Sequence, residues 1–119
     1  MITLQEKLEE AFQTANYMAT LSNQRRIILE ELNQKLVYYT NGGTFKIDLE
    51  LINFTKTVLD LGQDTDVVFL DENNVPIVVE NVKDFLDKMV TIYFESVNDY
   101  CTKYNAIKSK RTTMSLAEL

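Results

Sequence analysis

The chain has 119 residues, with three glycines, one proline, one cysteine and no histidine, a length that fits one domain of roughly 100–200 residues. Its 45% hydrophobic and 25% charged residues are an ordinary globular balance. A net charge of -6 repels phosphate backbones, the missing histidine removes the commonest general base and zinc ligand, and one cysteine allows no internal disulfide. No apolar run approaches the ~18–20 residues that span a bilayer. Charges at Glu6, Lys7, Glu9 and Glu10 in "MITLQEKLEEAF" break any signal-peptide apolar core.

Residues 3–39 read as one long helix. Leu4, Leu8, Ala11, Ala15 and Met18 recur at steps of four and three, the rhythm of a helix seam. The rhythm meets polar Ser22 and Arg25, then resumes on a shifted face through Leu21, Ile28, Leu32 and Leu36. The two halves are therefore expected to bury against different things. Asn41, Gly42 and Gly43 supply left-handed conformations to end the helix. A helix of about 35 residues is about 52 Å long, whereas a compact domain of this size is about 35 Å across. The first helix should overhang, and its stripe at Leu4, Leu8, Phe12 and Ala15 needs a partner.

"TFKID" is a brief extended approach to a short helix at 48–61. Asp48 is its N-cap, Ile47 and Ile52 fit a hydrophobic staple, and Gly62 ends it. A β-hairpin at 67–79 follows, with "VVFL" and "PIVV" around the turn-rich "DENNV". Pro76 lacks a backbone donor and belongs at a strand start or on an edge. Two strands alone are marginal in water, so the hairpin lies on the helices or gains a strand from another chain. Asn81 caps a second long helix at 82–110, whose apolar face runs through Val82, Leu86, Met89, Tyr93, Val97, Tyr100, Tyr104 and Ile107. Phe85, Ile92 and Phe94 widen it. Residues 112–119 form a tail.

No motif points to catalysis. Cys101 sits at helical spacing in "NDYCTKYN" and reads as a buried structural cysteine rather than a nucleophile, which needs a positioned base. "NGG" lacks the strand, spacing and lysine of a phosphate loop. Asp64, Asp66, Asp71 and Glu72 cluster near the hairpin. Calcium takes such ligands, but the spacing fails the EF-hand pattern, and turn chemistry explains them better. The expectation is a protein with no enzymatic activity, cofactor or metal. Tyr100, Tyr104, Lys108, Lys110 and Arg111 form a basic, aromatic tip that could stack on bases and meet phosphates. Between Asp48 and Asp99, however, twelve acids stand against three lysines. A basic tip beside an acidic body favours docking to an acidic protein surface or to another copy.

The stretch "FKIDLELINFTKTVLDLG" together with "VVFLDENNVPIVVENVKDFLDKMVTIYFESVNDYCTKYNAIKSKR" resembles small proteins of tailed bacteriophages, particularly T-even-type myophages of marine bacteria and cyanobacteria. The resemblance covers about residues 45–111 and carries no catalytic motif. It implies a viral protein made in bacterial host cytoplasm, with incorporation in the virion as an option, and a structural or assembly role.

The expected fold is mainly α (α+β): two long antiparallel helices, with a short helix and a β-hairpin in the connection. The expected function is a structural or assembly module acting through protein–protein contacts, with itself or another viral or host protein as partner. The interface residues are Leu4, Leu8, Ala11, Phe12, Ala15 and Met18 on the seam, with Pro76 and Ile77 on a hairpin edge open to strand addition. The alternative is a small acidic regulatory binder that blocks or redirects a host protein. A nucleic-acid adaptor using the Lys108–Arg111 tip ranks below both.

Overall fold

In the computed structural model, which describes residues 3–110, the first helix opens on a capping box. The Glu6 N–H donates to the Thr3 hydroxyl at 3.1 Å, and the Thr3 N–H donates to the Glu6 carboxylate at 3.4 Å. Two amides that the first turn leaves unpaired thus find acceptors. Helix α1 runs Leu4–Lys35 and stops before the expected position 39. The change comes at Leu36: its N–H donates to the Leu32 carbonyl and ends the helix, while its carbonyl accepts from Ile47 N–H at 2.7 Å and opens a ladder. Strands β1 (Val37–Thr40) and β2 (Gly43–Lys46) pair antiparallel from Val37↔Lys46 to Thr40↔Gly43. Asn41 and Gly42 turn between them with φ of 51° and 79°, the left-handed pair that a two-residue hairpin requires. The expected helix end and extended approach are therefore a hairpin, because "VYYT" is β-branched and aromatic and an Asn-Gly turn follows it.

The later boundaries fall close to expectation. Asp48 accepts the Leu51 N–H at 2.7 Å and starts α2 (Leu49–Asp60). Gly62, at φ 84°, ends it in a Schellman motif: Gly62 N–H donates to Leu59 and Gln63 N–H to Val58. Strands β3 (Thr65–Leu70) and β4 (Pro76–Asn81) pair antiparallel in a register that includes Val68↔Val78 and Leu70↔Pro76. Asn81 accepts the Asp84 N–H at 3.1 Å and caps α3 (Val82–Ser109). The tail at 112–119 and Arg111 lie outside the described residues.

The chain groups into two compact units. The first, Leu32–Asn98, holds both hairpins, α2 and the N-terminal part of α3. Its core joins Leu36, Phe45, Ile47, Val58, Phe69, Ile77, Val79, Val82, Phe85 and Met89. Phe85 is the hub, with ring centroids of Phe45 at 5.1 Å, Phe69 at 5.3 Å and Tyr38 at 6.1 Å, separations typical of favourable aromatic pairs.

The two hairpins of this unit are stitched together. Thr44 of β2 donates its N–H to Asp71 Oδ2 at 3.0 Å and accepts from Glu72 N–H at 2.8 Å. In return Asn41 Nδ2 donates to the Val78 carbonyl at 3.1 Å. Gly43 sits where they approach most closely: a Cβ there would lie 2.6 Å from the Ile77 side chain.

The second unit is Met1–Glu31 with Asp99–Leu119, described for 3–31 and 99–110. Ile28 and Ile107 are buried, flanked by Tyr17, Leu21, Tyr100 and Tyr104. Glu31 pairs with Lys103 at 2.7 Å, and Tyr17 Oη donates to the Lys110 carbonyl at 2.9 Å. As α1 positions fall from 31 to 17, their α3 partners rise from 103 to 110, so the helices are antiparallel. The architecture is α+β and mainly helical, with two long helices, a short one and two small hairpins.

Candidate protein interface

Every residue from 3 to 16 is exposed. Leu4 is 76% exposed, Leu8 52%, Phe12 69% and Met18 56%, and Ala11 and Ala15 are exposed between them. The expected seam is thus present as a continuous stripe with no cover among the described residues. Tyr17 reaches Lys110, one residue beyond the last helical position of α3, so α1 residues before 17 run past the end of their helical neighbour.

The face of α1 that meets α3 also differs from the seam. It passes through Tyr17, Leu21, Gln24, Ile28 and Glu31, all half-buried or buried. Traced back at steps of three and four, that row becomes Thr14, Glu10, Lys7 and Thr3, which are polar. The seam lies one residue along, a rotation of about 100°. Half-burial on the α3-facing row begins at Tyr17, and the break at Ser22 and Arg25 falls just after Met18, the last residue of the exposed seam.

The hairpin contributes differently from expectation. Pro76 is exposed, but Ile77 is buried at 7% against the Gly43 backbone, because alternation along β4 turns Ile77 and Val79 inward. Strand addition at β4 is blunted as well: Pro76 has no donor and the Val78 carbonyl is taken by Asn41. What β3 and β4 expose is their outer face, where Val68, Leu70 and Val78 are 57%, 61% and 50% accessible. A half-buried antiparallel ribbon ordinarily shows polar side chains there.

Among the described residues, the basic tip does not assemble as a free patch. Tyr100 and Tyr104 are half-buried, 6.0 Å apart, with the Arg25 guanidinium 5.6 Å over the Tyr104 ring. Lys103 is held by Glu31 at 2.7 Å and Asp99 at 3.0 Å, hydrogen bonds that push its pKa up. Lys108 is exposed and Lys110 half-buried. Cys101, expected to be buried, is exposed, because the buried row of α3 passes through Tyr100, Tyr104 and Ile107 and leaves position 101 on another face.

Asp71 is a structural acid. Its carboxylate accepts from Thr44, Asn73 and Val75 N–H groups at 2.9–3.0 Å. The bond from Thr44, then that from Val75, holds its carboxyl below the usual carboxylate range, against the opposing effect of burial. Among the described residues no group of three or more His, Cys, Asp or Glu side chains is placed to hold a metal ion, and no helix is long and apolar enough to cross a membrane.

A groove of about 370 Å³ lies between α2 and the β3–β4 turn. Phe54 and Leu70 flank it, 55% and 61% exposed, with Lys46, Asp48, Glu50 and Glu72 around it. Phe54 keeps its orientation by packing edge-on against Phe69 at 5.8 Å. No family model, curated protein or solved structure matches the chain.

Proposed function

We propose that this protein is a non-enzymatic structural or assembly module that works by pairing helices, the N-terminal part of α1 packing against the same segment of a second copy. The observation that carries this reading is the stripe of Leu4, Leu8, Ala11, Phe12, Ala15 and Met18, exposed on a helix that extends past α3. An apolar seam with this spacing matches a partner helix, and leaving it in water is unfavourable.

Charge favours a second copy. Glu6, Glu9 and Glu10 fall on the side of the helix away from Leu4, Leu8 and Ala11, at 100° per residue. Two chains of net charge -6 thus meet across the seam without facing carboxylates. The small side chains of Ala11 and Ala15 allow close approach. The seam from 4 to 18 is about 22 Å long, so its pairing falls at the small end of specific interfaces, below about 1,200 Å². We expect this pairing to be reversible and to appear at micromolar concentrations. The resemblance of residues 45–111 to small proteins of tailed bacteriophages supports reading this role as one in viral assembly within a bacterial host.

Sedimentation equilibrium of the full chain up to about 100 µM, roughly 5.5 kcal/mol of association, tests the reading. The wild type is expected to self-associate, and Leu8→Glu to remain monomeric with its helical circular dichroism retained. A wild-type monomer across that range, or a Leu8→Glu variant that associates equally well, would overturn it.

A further inference from the structure

We infer that the groove between α2 and the β3–β4 turn is a second docking surface, one that takes a basic, apolar peptide segment of a partner protein. It is independent of the α1 seam, because all its lining residues belong to the Leu32–Asn98 unit.

The first observation is the pairing of two large apolar side chains that the fold leaves outside. Phe54 on α2 and Leu70 at the end of β3 both line the groove and are more than half exposed, and buried Phe45 lines it too. The core holds Phe54 from behind through Phe69, so the wall is preorganised and little side-chain freedom is lost on binding. Apolar surface continues from Leu70 to Val68 on the same strand face and to Pro76 and Val78 across the ladder. An extended segment could follow it beyond the groove.

The second observation is charge. Of the acids around the groove, Asp48 caps α2 through Leu51 and Asp71 is engaged by three backbone N–H groups. Glu50 and Glu72 are exposed and make no ion pair among the described residues. They are available to a lysine or arginine whose neighbouring apolar side chain enters between Phe54 and Leu70. The charged residues that line the groove are four acids, Asp48, Glu50, Asp71 and Glu72, and one lysine, Lys46, so the site is acidic on balance. Such a field accelerates the approach of a basic partner and rejects an acidic one. It also disfavours a nucleic-acid occupant.

The test uses the full chain labelled with ¹⁵N and titrated with an acetylated, amidated lysine–leucine hexapeptide, beside a glutamate–leucine counterpart. Saturable shifts are expected at Glu50, Phe54, Leu70 and Glu72, with no saturable binding of the acidic peptide. Affinity should fall at least about tenfold in a Glu50→Lys, Glu72→Lys double variant, and fall again with added salt. Both substitutions lie on exposed side chains, so the variant's own spectrum reports whether the fold is kept. Phe54→Ser should weaken binding without removing its salt dependence. Absence of saturable binding, shifts mapping to α1, equal binding of the acidic peptide, or unchanged affinity in the charge-reversed variant would each overturn the proposal. So would displacement of the peptide by self-association of the chain, since a second copy would then be the occupant.

Discussion

The Leu32–Asn98 unit and the long-helix unit share α1 and α3 but use them in opposite ways. In the first, ten apolar side chains from helices and strands converge on one core. Edge groups of two hairpins are satisfied by each other through Thr44, Asp71, Glu72 and Asn41. In the second, Ile28 and Ile107 are the buried members of the cluster among the described residues, while a larger set of apolar side chains on α1 faces outward. The contrast separates two jobs that one helix can do. Where α1 and α3 meet strands they stabilise a fold. Where α1 runs beyond α3 it offers surface, and local stability there should be low until something covers it.

Phe85→Ala should have the largest effect on this contrast. Removing the ring that meets Tyr38, Phe45 and Phe69 should cost about 3–5 kcal/mol in urea unfolding. Ile28→Ala should cost less, about 2 kcal/mol, because a two-residue core can relax around the loss. An Ile28 cost equal to that of Phe85 would break the comparison. Gly43→Ala should cost about 1–2 kcal/mol by overpacking against Ile77. In an Ile77→Ala background the added methyl should cost much less, a coupling that a double-mutant cycle measures.

The smallest effect is a pH dependence. The folded carboxyl of Asp71 lies below its ordinary range. Its contribution is therefore present above about pH 4 and lost as pH falls through the depressed value. Urea midpoints of Asp71→Asn should lie below those of the wild type near neutrality and converge with them in acid. A constant gap down to pH 2 would show that Asp71 acts by shape alone.

Much of this was legible from local chemistry. Asp48 and Asn81 cap helices where a polar residue precedes an apolar period, and Gly62 ends α2 where a left-handed residue is needed. The seam and its break at Ser22 follow from spacing alone, and burial along α1 begins shortly before the break, at Tyr17. The first hairpin escaped because Leu32 and Leu36 keep the helical step up to the boundary, although the Asn-Gly turn after "VYYT" was its signal. The capping box of Thr3 and Glu6 was equally available in "TLQE".

Other features could not be read locally. Asp71 accepts from Thr44, 27 positions away, and the burial of Ile77 depends on the approach of Gly43 from another strand pair. The groove between Phe54 and Leu70 brings together a helix and a turn whose adjacency only the fold supplies.

The most direct test of the central claim is amide hydrogen exchange of the full chain at two concentrations, one below and one above the expected micromolar association. Pairing through the seam predicts that amides of residues 7–16 are weakly protected when dilute and become protected when concentrated. Leu8→Glu should abolish that gain, while the protection of the Leu32–Asn98 unit stays constant. Exchange of residues 7–16 that is equally fast at both concentrations would contradict it.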